Sequence, residues 1–513
     1  MELSTLLEGV KIKSIKGGGG LKIEGLAIDS RRVRAGDLFF ALKGGRTDGN
    51  AFIKDAIMKG AAAVLTDQPF FYEHPEQAPD GEEVFSSAAL IRVEDGRAAL
   101  ARISANFHKN PSLRLSVTGI TGTNGKTTTA LLVHGGLGRL GRGSGLIGTI
   151  KYIAGGIEKP APHTTPEAPD FQRMLEEMEA AGQSHAVAEV SSHALAQKRV
   201  DCTSFKVAVF TNLTRDHLDY HKTMENYFEA KKRLFNELLE AGGLAVINSD
   251  DPFGKRLASE FSFSGKGTIL AYSAANGPGK TGMPGVEGIR AENIRNTASG
   301  LRFDISCQGR EFPISSRLIG AHNVYNLLAA FGALTGLGFG AEEAIRGLES
   351  LEGVNGRFER VECGQEFLAV IDYAHTPDAL QRLIQAARAV SSGRVITLFG
   401  CGGDRDKGKR REMGLIAATL SDVAVITSDN PRSEDPMDII GDIKEGIPAD
   451  RAGHCLVIAD RAEAIERAIG MARAGDAVLI AGKGHEDYQE INGVRNPFSD
   501  RLAAVTALEK RKR

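Results

Sequence analysis

The segment of this chain best equipped for chemistry is GTNGKTT, residues 122–128. The apolar, strand-like LRLSVTGIT runs into it and the helix-like TTALLVHGGL follows. That order makes a phosphate cradle. Gly122, Thr123, Asn124 and Gly125 can turn backbone N–H groups toward phosphate oxygens, and Lys126 supplies a point charge. Thr127 offers a hydroxyl for Mg²⁺, and the helix beginning around Thr128 adds its dipole. The spacing differs from the usual P-loop, because Ile120 stands where the first glycine would be. A second GKT, Gly279 to Thr281, is followed by Gly282 and Pro284, which leave no room for a helix start. No N-K-x-D tetrad occurs, which argues against a guanine-nucleotide switch.

The elements that must position this loop follow from the apolar pattern. Residues 1–107 read as short strands and turns, with LKIEGLAID and DLFFALKG bracketing the turn-rich DSRRVRAGD. The Pro- and Glu-rich QPFFYEHPEQAPDGEE reads as a surface loop. From 108 to 352, LRLSVTGIT, HAVAEVSS, VAVFTNL and LAVINSD alternate with helical stretches, the rhythm of a mostly parallel sheet. From 353 to 513, FLAVIDYAHTPD, RVITLFGCGGDRDKGKR, DVAVITSDNPRSEDP and AVLIAGKGHEDYQ each pair an apolar strand with a polar, Gly-rich loop. Ligands of open α/β sheets bind at the carboxyl ends of strands, so these four loops predict one composite site. The expected fold is α/β: three domains, with a central P-loop-type sheet flanked by helices and a Rossmann-like C-terminal domain.

Bulk properties agree. At 513 residues the chain exceeds one hydrophobic core, and roughly three domains of about 150 residues are expected. A net charge of -2 with both signs interspersed provides no field for nucleic acid or anionic lipid. The basic Lys510–Arg513 end reads as a solvated tail. Five scattered cysteines without a C-x-x-C pair suggest reduced thiols. MELSTLLEGVKIKS lacks the pattern of a secretory signal, and no apolar run approaches the roughly 20 residues of a membrane span. A cytoplasmic protein is expected.

GTNGKTT, TNLTRDHLDYH, HNVYN, NGRFE and YAHTPD occur in that order and together resemble the Mur ligase family, which includes the folylpolyglutamate synthetases. The resemblance spans nearly the whole chain. It implies an ATP-dependent ligase forming an amide bond through an acyl phosphate, with domains for a uridine nucleotide (1–107), ATP (108–352) and an amino acid (353–513). DSRRVRAGDLFFALKG, HTTPEA, GCGGDRDKGKR, DNPRSEDP and AGKGHEDYQ narrow the resemblance to members that add meso-diaminopimelate to UDP-MurNAc-L-Ala-D-Glu. It also implies a monomer. Lysine-adding members and folylpolyglutamate synthetase are the alternatives within enzymes, and a non-catalytic wall-assembly scaffold is the alternative outside them.

Residue roles carry over position by position. The resemblance makes Lys126, Glu189, His217 and Lys231 catalytic. Thr127, Glu189, His217 and Lys231 would hold Mg²⁺, with Lys231 carbamylated to N6-carboxylysine; Lys232 beside it is the competing assignment. A hard carboxylate suits Mg²⁺ well and a histidine less so. Asn323, Asn326, Arg357 and Asp372 are implied as ATP contacts. Ser30, Gly45, Arg46, Thr47, Thr164, Thr165, Ser191, Gln197 and Arg199 are implied as contacts of the uridine-linked peptide, and His163 has no assigned role. Arg405, Asp429, Asn430, Pro431, Arg432, Gly482 and Glu486 are implied for diaminopimelate. That amino acid differs from lysine by one more carboxylate, which the guanidinium of Arg432 suits as a bidentate partner.

Overall fold

The computed structural model describes residues 1–44, 47–69, 87–274, 287–297, 299–351 and 353–512. Two compact units emerge: Met1–Val117 with Gly143–Phe205, and Thr118–Arg142 with Lys206–Arg513. Gly45 and Arg46, the GKT at Gly279 and most of the Pro- and Glu-rich loop lie outside the described residues.

In the first unit a five-stranded sheet runs in the order Ile12–Lys16, Ala89–Val93, Ala63–Thr66, Asp37–Phe40, Gly25–Ala27. Only the Ile12–Lys16 edge is antiparallel. Alternate residues bury on opposite faces. Leu38, Phe40, Leu65 and Ile91 enter one apolar cluster, and Phe39, Val64 and Leu90 enter the other. The turn-rich DSRRVRAGD begins in the short helical turn Ser30–Arg32, started by Asp29, whose carboxylate accepts the Arg31 N–H. The same unit holds the strand His185–Glu189, parallel to Ser144–Ile147, from which an antiparallel hairpin continues.

In the second unit residues 118–121 pair in parallel with residues 207–210, Thr118 opposite Val207. Leu239–Asn248, Thr268–Ser273 and Glu287–Thr297 are also mutually parallel. Gly300–Cys307 and Arg310–Ser316 then close that edge with antiparallel pairing. The largely apolar helix His322–Gly336 lies against Lys126–Arg139, the helix that follows the phosphate loop. A second sheet runs Glu359–Arg360, Leu368–Asp372, Ala477–Ala481, Val395–Phe399, Val423–Ile426, Cys455–Val457. From Leu368 onward it is parallel, with an apolar cluster on each face. Its four apolar strands are those whose Gly-rich loops stand out in the sequence. Their register puts Tyr373, Gly400, Thr427 and Gly482, each just past a strand end, at one end of the sheet.

Candidate active site

The phosphate loop is shaped by two glycines. Gly122 (φ 146°) and Gly125 (φ 88°) adopt left-sided backbone. A Cβ at Gly122 would run into Thr211 Oγ1, and one at Gly125 into Asn326 Oδ1. Lys126 opens the helix and folds over the loop, donating to the Gly122 and Thr123 carbonyls at 3.0 and 2.9 Å. Thr123 N donates to the Asn212 carbonyl at 2.9 Å, and Asn124 N to Asn212 Oδ1 at 3.0 Å. The Asn124 amide donates to Asp378 at 2.9 Å. Arg357 donates to Thr127 Oγ1 at 3.3 Å and stacks on the Tyr373 ring at 4.5 Å. Thr128 is buried in the first turn of the helix. Asn326 and Asn323, both buried, share a hydrogen bond of 2.8 Å. Asp372 accepts the N–H groups of Phe358 and Ala374 at 2.6 and 2.8 Å, and burial pushes its carboxyl above the usual range.

Adjacent lysines on the helix Met224–Arg233 have opposite fates. Lys231 is 1% exposed, donates to the Gly122 carbonyl at 2.8 Å and lies 4.6 Å from the Tyr227 ring centre. Burial, then the charge of Lys126, holds its amine well below the usual lysine range. Lys232 instead reaches Glu229 at 2.5 Å and Glu260 at 3.0 Å on the partly exposed face. A π-helical turn, Leu234–Leu238, follows directly. His217 caps the short helix Leu218–His221 with a left-handed backbone (φ 54°), its ring edge-on to Tyr227. The neighbouring Asp216 is buried, with His217 at 3.4 Å, Lys409 at 3.9 Å and His375 at 3.9 Å. Burial opposes ionisation of Asp216, but these three groups and the His217 N–H outweigh it and hold the carboxyl below the usual range. Desolvation, then Lys409, pushes His375 down to about 4.

A cavity of about 200 Å³ opens here, lined by Asp216, His217, His375 and Lys409 together with residues from the loops of the second sheet. Arg405, Asp429, Asn430, Arg432, Gly482 and Glu486 line it; Pro431 does not. Arg432 takes a left-handed backbone (φ 54°), pinned by its N–H to the Glu490 carbonyl and by its guanidinium to the Gly403 carbonyl at 2.7 Å. Burial and the charge of Arg432 lower the Arg405 guanidinium. Asn430 donates to Glu486 at 2.8 Å, and Glu486 is pushed above the usual carboxyl range by burial and then by Asp429. Among the described residues no three His, Cys, Asp or Glu side chains gather as a metal-binding group.

In the first unit, Glu189 ends its strand 1% exposed and accepts both the N–H and hydroxyl of Thr149, at 2.7 and 2.9 Å. Thr165 donates to the Glu189 carbonyl at 2.8 Å, and Thr164 meets the Thr149 hydroxyl at 3.1 Å. Ser191 caps the helix Ser192–Ala196. Arg199 holds Gln197 at 2.7 Å, the Thr165 carbonyl at 3.0 Å and Glu167 at 3.0 Å, and Glu167 also pairs with Arg97. Ser30 is buried, its carbonyl accepting from Lys59 at 2.9 Å; Thr47 is exposed. Sequence reasoning passed over Thr149, Glu167, Asp216, His375, Lys409 and Lys483. All but Thr149 sit inside motifs quoted above, so motif membership was the available signal.

Comparison with known proteins is consistent along the chain. The family descriptions "Mur ligase family, catalytic domain", "Mur ligase middle domain" and "Mur ligase, glutamate ligase domain" match residues 22–108, 120–334 and 356–484. A UDP-N-acetylmuramoyl-L-alanyl-D-glutamate–2,6-diaminopimelate ligase of Geobacter metallireducens is 43% identical, over 99% of each chain. A solved structure of a ligase of the same name is 32% identical, with a TM-score of 0.67, over 100% of this chain and 99% of that one. The MurF ligase of Thermotoga maritima in complex with ADP has the same fold at 20% identity, with a TM-score of 0.64, over 96% of this chain and 99% of that one.

Proposed function

The chain belongs to the Mur ligase family, and we propose that it joins meso-diaminopimelate to UDP-MurNAc-L-Ala-D-Glu, converting ATP to ADP and phosphate. The observation that carries this reading is the cavity in which Arg405 and Arg432 share walls with Asp429 and Glu486. Guanidinium and carboxylate groups in one small space complement an amino acid with carboxylates and amines at both ends. The 43% identity to a diaminopimelate ligase over 99% of both chains supports the same substrate, and the ADP bound to the Thermotoga relative supports ATP as the phosphoryl donor.

A carboxylate does not react with an amine at neutral pH. The terminal γ-phosphoryl of ATP therefore passes first to the substrate carboxylate, giving an acyl phosphate and ADP. The amine then attacks the acyl carbon, phosphate leaves, and the amine proton goes to solvent. The backbone of residues 122–128, Lys126 and Arg357 orient the phosphates and offset their charge. Asn323, Asn326 and Asp372 serve the nucleoside in this reading. Thr164, Thr165, Ser191, Gln197 and Arg199 serve the uridine-linked peptide, with Ser30 and the 45–47 turn.

Magnesium, when bound, would neutralise phosphate charge, and Thr127, His217 and Lys231 are the residues of the second unit that we assign to it. A bare amine at Lys231 is no ligand for a hard cation. Burial and the charge of Lys126 favour the neutral form of this amine, however, and a neutral amine adds to CO₂ with loss of a proton, giving a carbamate oxygen donor. On that condition Lys231 offers an oxygen donor beside the phosphate loop. We divide the chain into a uridine-nucleotide domain (1–107), an ATP domain (108–352) and an amino-acid domain (353–513), and read it as a cytoplasmic monomer, since its charged nucleotide substrates are kept inside the cell.

The test is phosphate release with ATP, Mg²⁺ and UDP-MurNAc-L-Ala-D-Glu, offering meso-diaminopimelate or L-lysine in parallel. Release that depends on diaminopimelate, with the tripeptide seen by mass, is expected. Release with lysine alone overturns the reading of Arg432, and no release with either overturns the ligase.

A further inference from the structure

We propose that Lys483, which lies behind the amino-acid cavity without lining it, is a positioning residue that sets Asp429, Asn430 and Glu486 as the receptor for the incoming ammonium group. The inference rests on the ligase reading above and concerns a residue to which that reading gives no role.

Lys483 follows Gly482 at the end of the strand Ala477–Ala481 and is 0% exposed. Its ammonium donates to Asn430 Oδ1 at 2.8 Å and reaches Glu486 at 3.3 Å and Asp429 at 3.4 Å. A buried lysine is costly unless its charge is matched, so its place among three groups that face the cavity calls for a reason. The first reason is geometric. Asn430 Oδ1 also accepts the Glu490 N–H at 2.9 Å, so the amide oxygen is committed to Lys483 and Glu490. The amide NH₂ must then point at Glu486, which it does at 2.8 Å. Without Lys483 that oxygen keeps only the Glu490 N–H, and the amide is held less firmly against Glu486.

The second reason is charge. Asp429 and Glu486 carry two negative charges, and Lys483 supplies one positive. The other buried cation nearby, Arg461, is committed to Asp500 at 2.7 Å and to the Ala481 and Ser428 carbonyls. One net negative charge is left at this wall, the complement of one ammonium. Arg405 and Arg432 line the same cavity and suit carboxylates. Without Lys483 the two acidic groups would repel each other unopposed, which disfavours the charged form that an ammonium needs. Burial and Asp429 already push Glu486 up, while Lys483 and the Asn430 bond pull it down. Arg461, Tyr373 and Tyr488 also face Glu486, and Arg405, Arg432, His375, Lys409, Asp216, His217, Asp219 and Asp406 share its cavity.

Steady-state kinetics of the full chain and its Lys483→Met variant test this, with each substrate varied in turn and thermal melting run alongside. The expected result is a KM for diaminopimelate raised about tenfold or more, kcat within about threefold of the parent, and an unchanged KM for ATP. Loss of Lys483 raises the Glu486 carboxyl further, so the acid limb of kcat/KM for the amino acid moves to higher pH. Lys483→Arg, which keeps the charge, is expected between parent and Met variant. If the Met variant does not stay folded at the assay temperature, Lys483→Gln takes its place with the same expected KM split. An amino-acid KM equal to the parent's overturns the proposal, as does a parallel loss for ATP and amino acid, the mark of a merely structural role. A parent protein that releases phosphate with neither amino acid overturns the ligase reading itself, and that is seen before any variant is made.

Discussion

Lys231 and Lys483 are equally hidden from solvent, at 1% and 0% exposure, and their surroundings are electrically opposite. Around Lys231 lie a carbonyl oxygen, an aromatic ring and the charge of Lys126, and burial with that charge outweighs the opposing Asp216 and drives its amine toward neutrality. Around Lys483 lie two carboxylates and an amide oxygen, and it forms two salt bridges. Burial alone does not decide what a lysine does. Beyond burial the neighbours differ: the like charge of Lys126 adds to the push on Lys231 toward the neutral amine, while two carboxylates pair with Lys483.

The sharpest way to break this contrast is to remove the neutral amine. Lys231→Ala is expected to lower turnover by about two to three decades, the scale of losing one preorganised electrostatic group at a reacting centre. Short carboxylates added to the assay are expected to restore part of the phosphate release by standing in for the carbamate. A fully active variant removes Lys231 from the mechanism.

The amino-acid cavity makes the second test. Arg432→Ala is expected to raise KM for diaminopimelate about ten- to a hundredfold, as one charge-assisted hydrogen bond is lost. KM for ATP should not move. Equal kinetics for variant and parent would refute the role of this guanidinium in choosing the substrate.

A third test concerns the scaffold beneath the cavity. Glu434 holds the fully buried Arg410 at 2.9 Å, and it also pairs with Lys407 and accepts the Asp404 N–H. Glu434→Gln leaves Arg410 with Asp442 as its only carboxylate at hydrogen-bond range among the described residues, and a loss of about 1–3 kcal/mol is expected by denaturant unfolding. The Arg410 bond, outweighing burial, lowers the Glu434 carboxyl from 4.5 to about 2. Its contribution is therefore complete above pH 4.5 and fades as pH falls toward 2. The parent's stability should fall more steeply than the variant's across that window.

The smallest expected effect is the control for the first. Lys232→Ala removes two partly exposed ion pairs, so a stability change within about 1 kcal/mol and near-parental turnover are expected. A collapse of turnover here, with Lys231→Ala active, would exchange the roles of the two neighbours.

Much of the fold was legible along the chain. The parallel strands and their Gly-rich loops could be read because hydrophobic periodicity and turn residues are local signals. The antiparallel pairing of Gly300–Cys307 with Arg310–Ser316, and of Tyr488–Ile491 with Val494–Pro497, was not legible. Both are short or half-exposed, with weak apolar patterns. The π-helical turn after Lys231 also left no mark, since it reads like any helical continuation. Within the candidate site, consecutive residues such as 122–128 were readable as a motif. The meeting of Asp216 with His375 and Lys409 was not, because it joins three loops far apart in sequence.

The sequence by itself determined the inventory: a strand, a glycine-rich turn and a helix in the order that cradles phosphate, and strand-end loops stocked with arginines and carboxylates. Those features depend on residue type and short spacing, which the chain carries locally. Only the tertiary structure decided that Lys231 and not Lys232 faces the phosphate loop, and that Lys483 stands among Asp429, Asn430 and Glu486. Desolvation and charge pairing are set by atoms that folding brings from distant segments, and no local pattern encodes them.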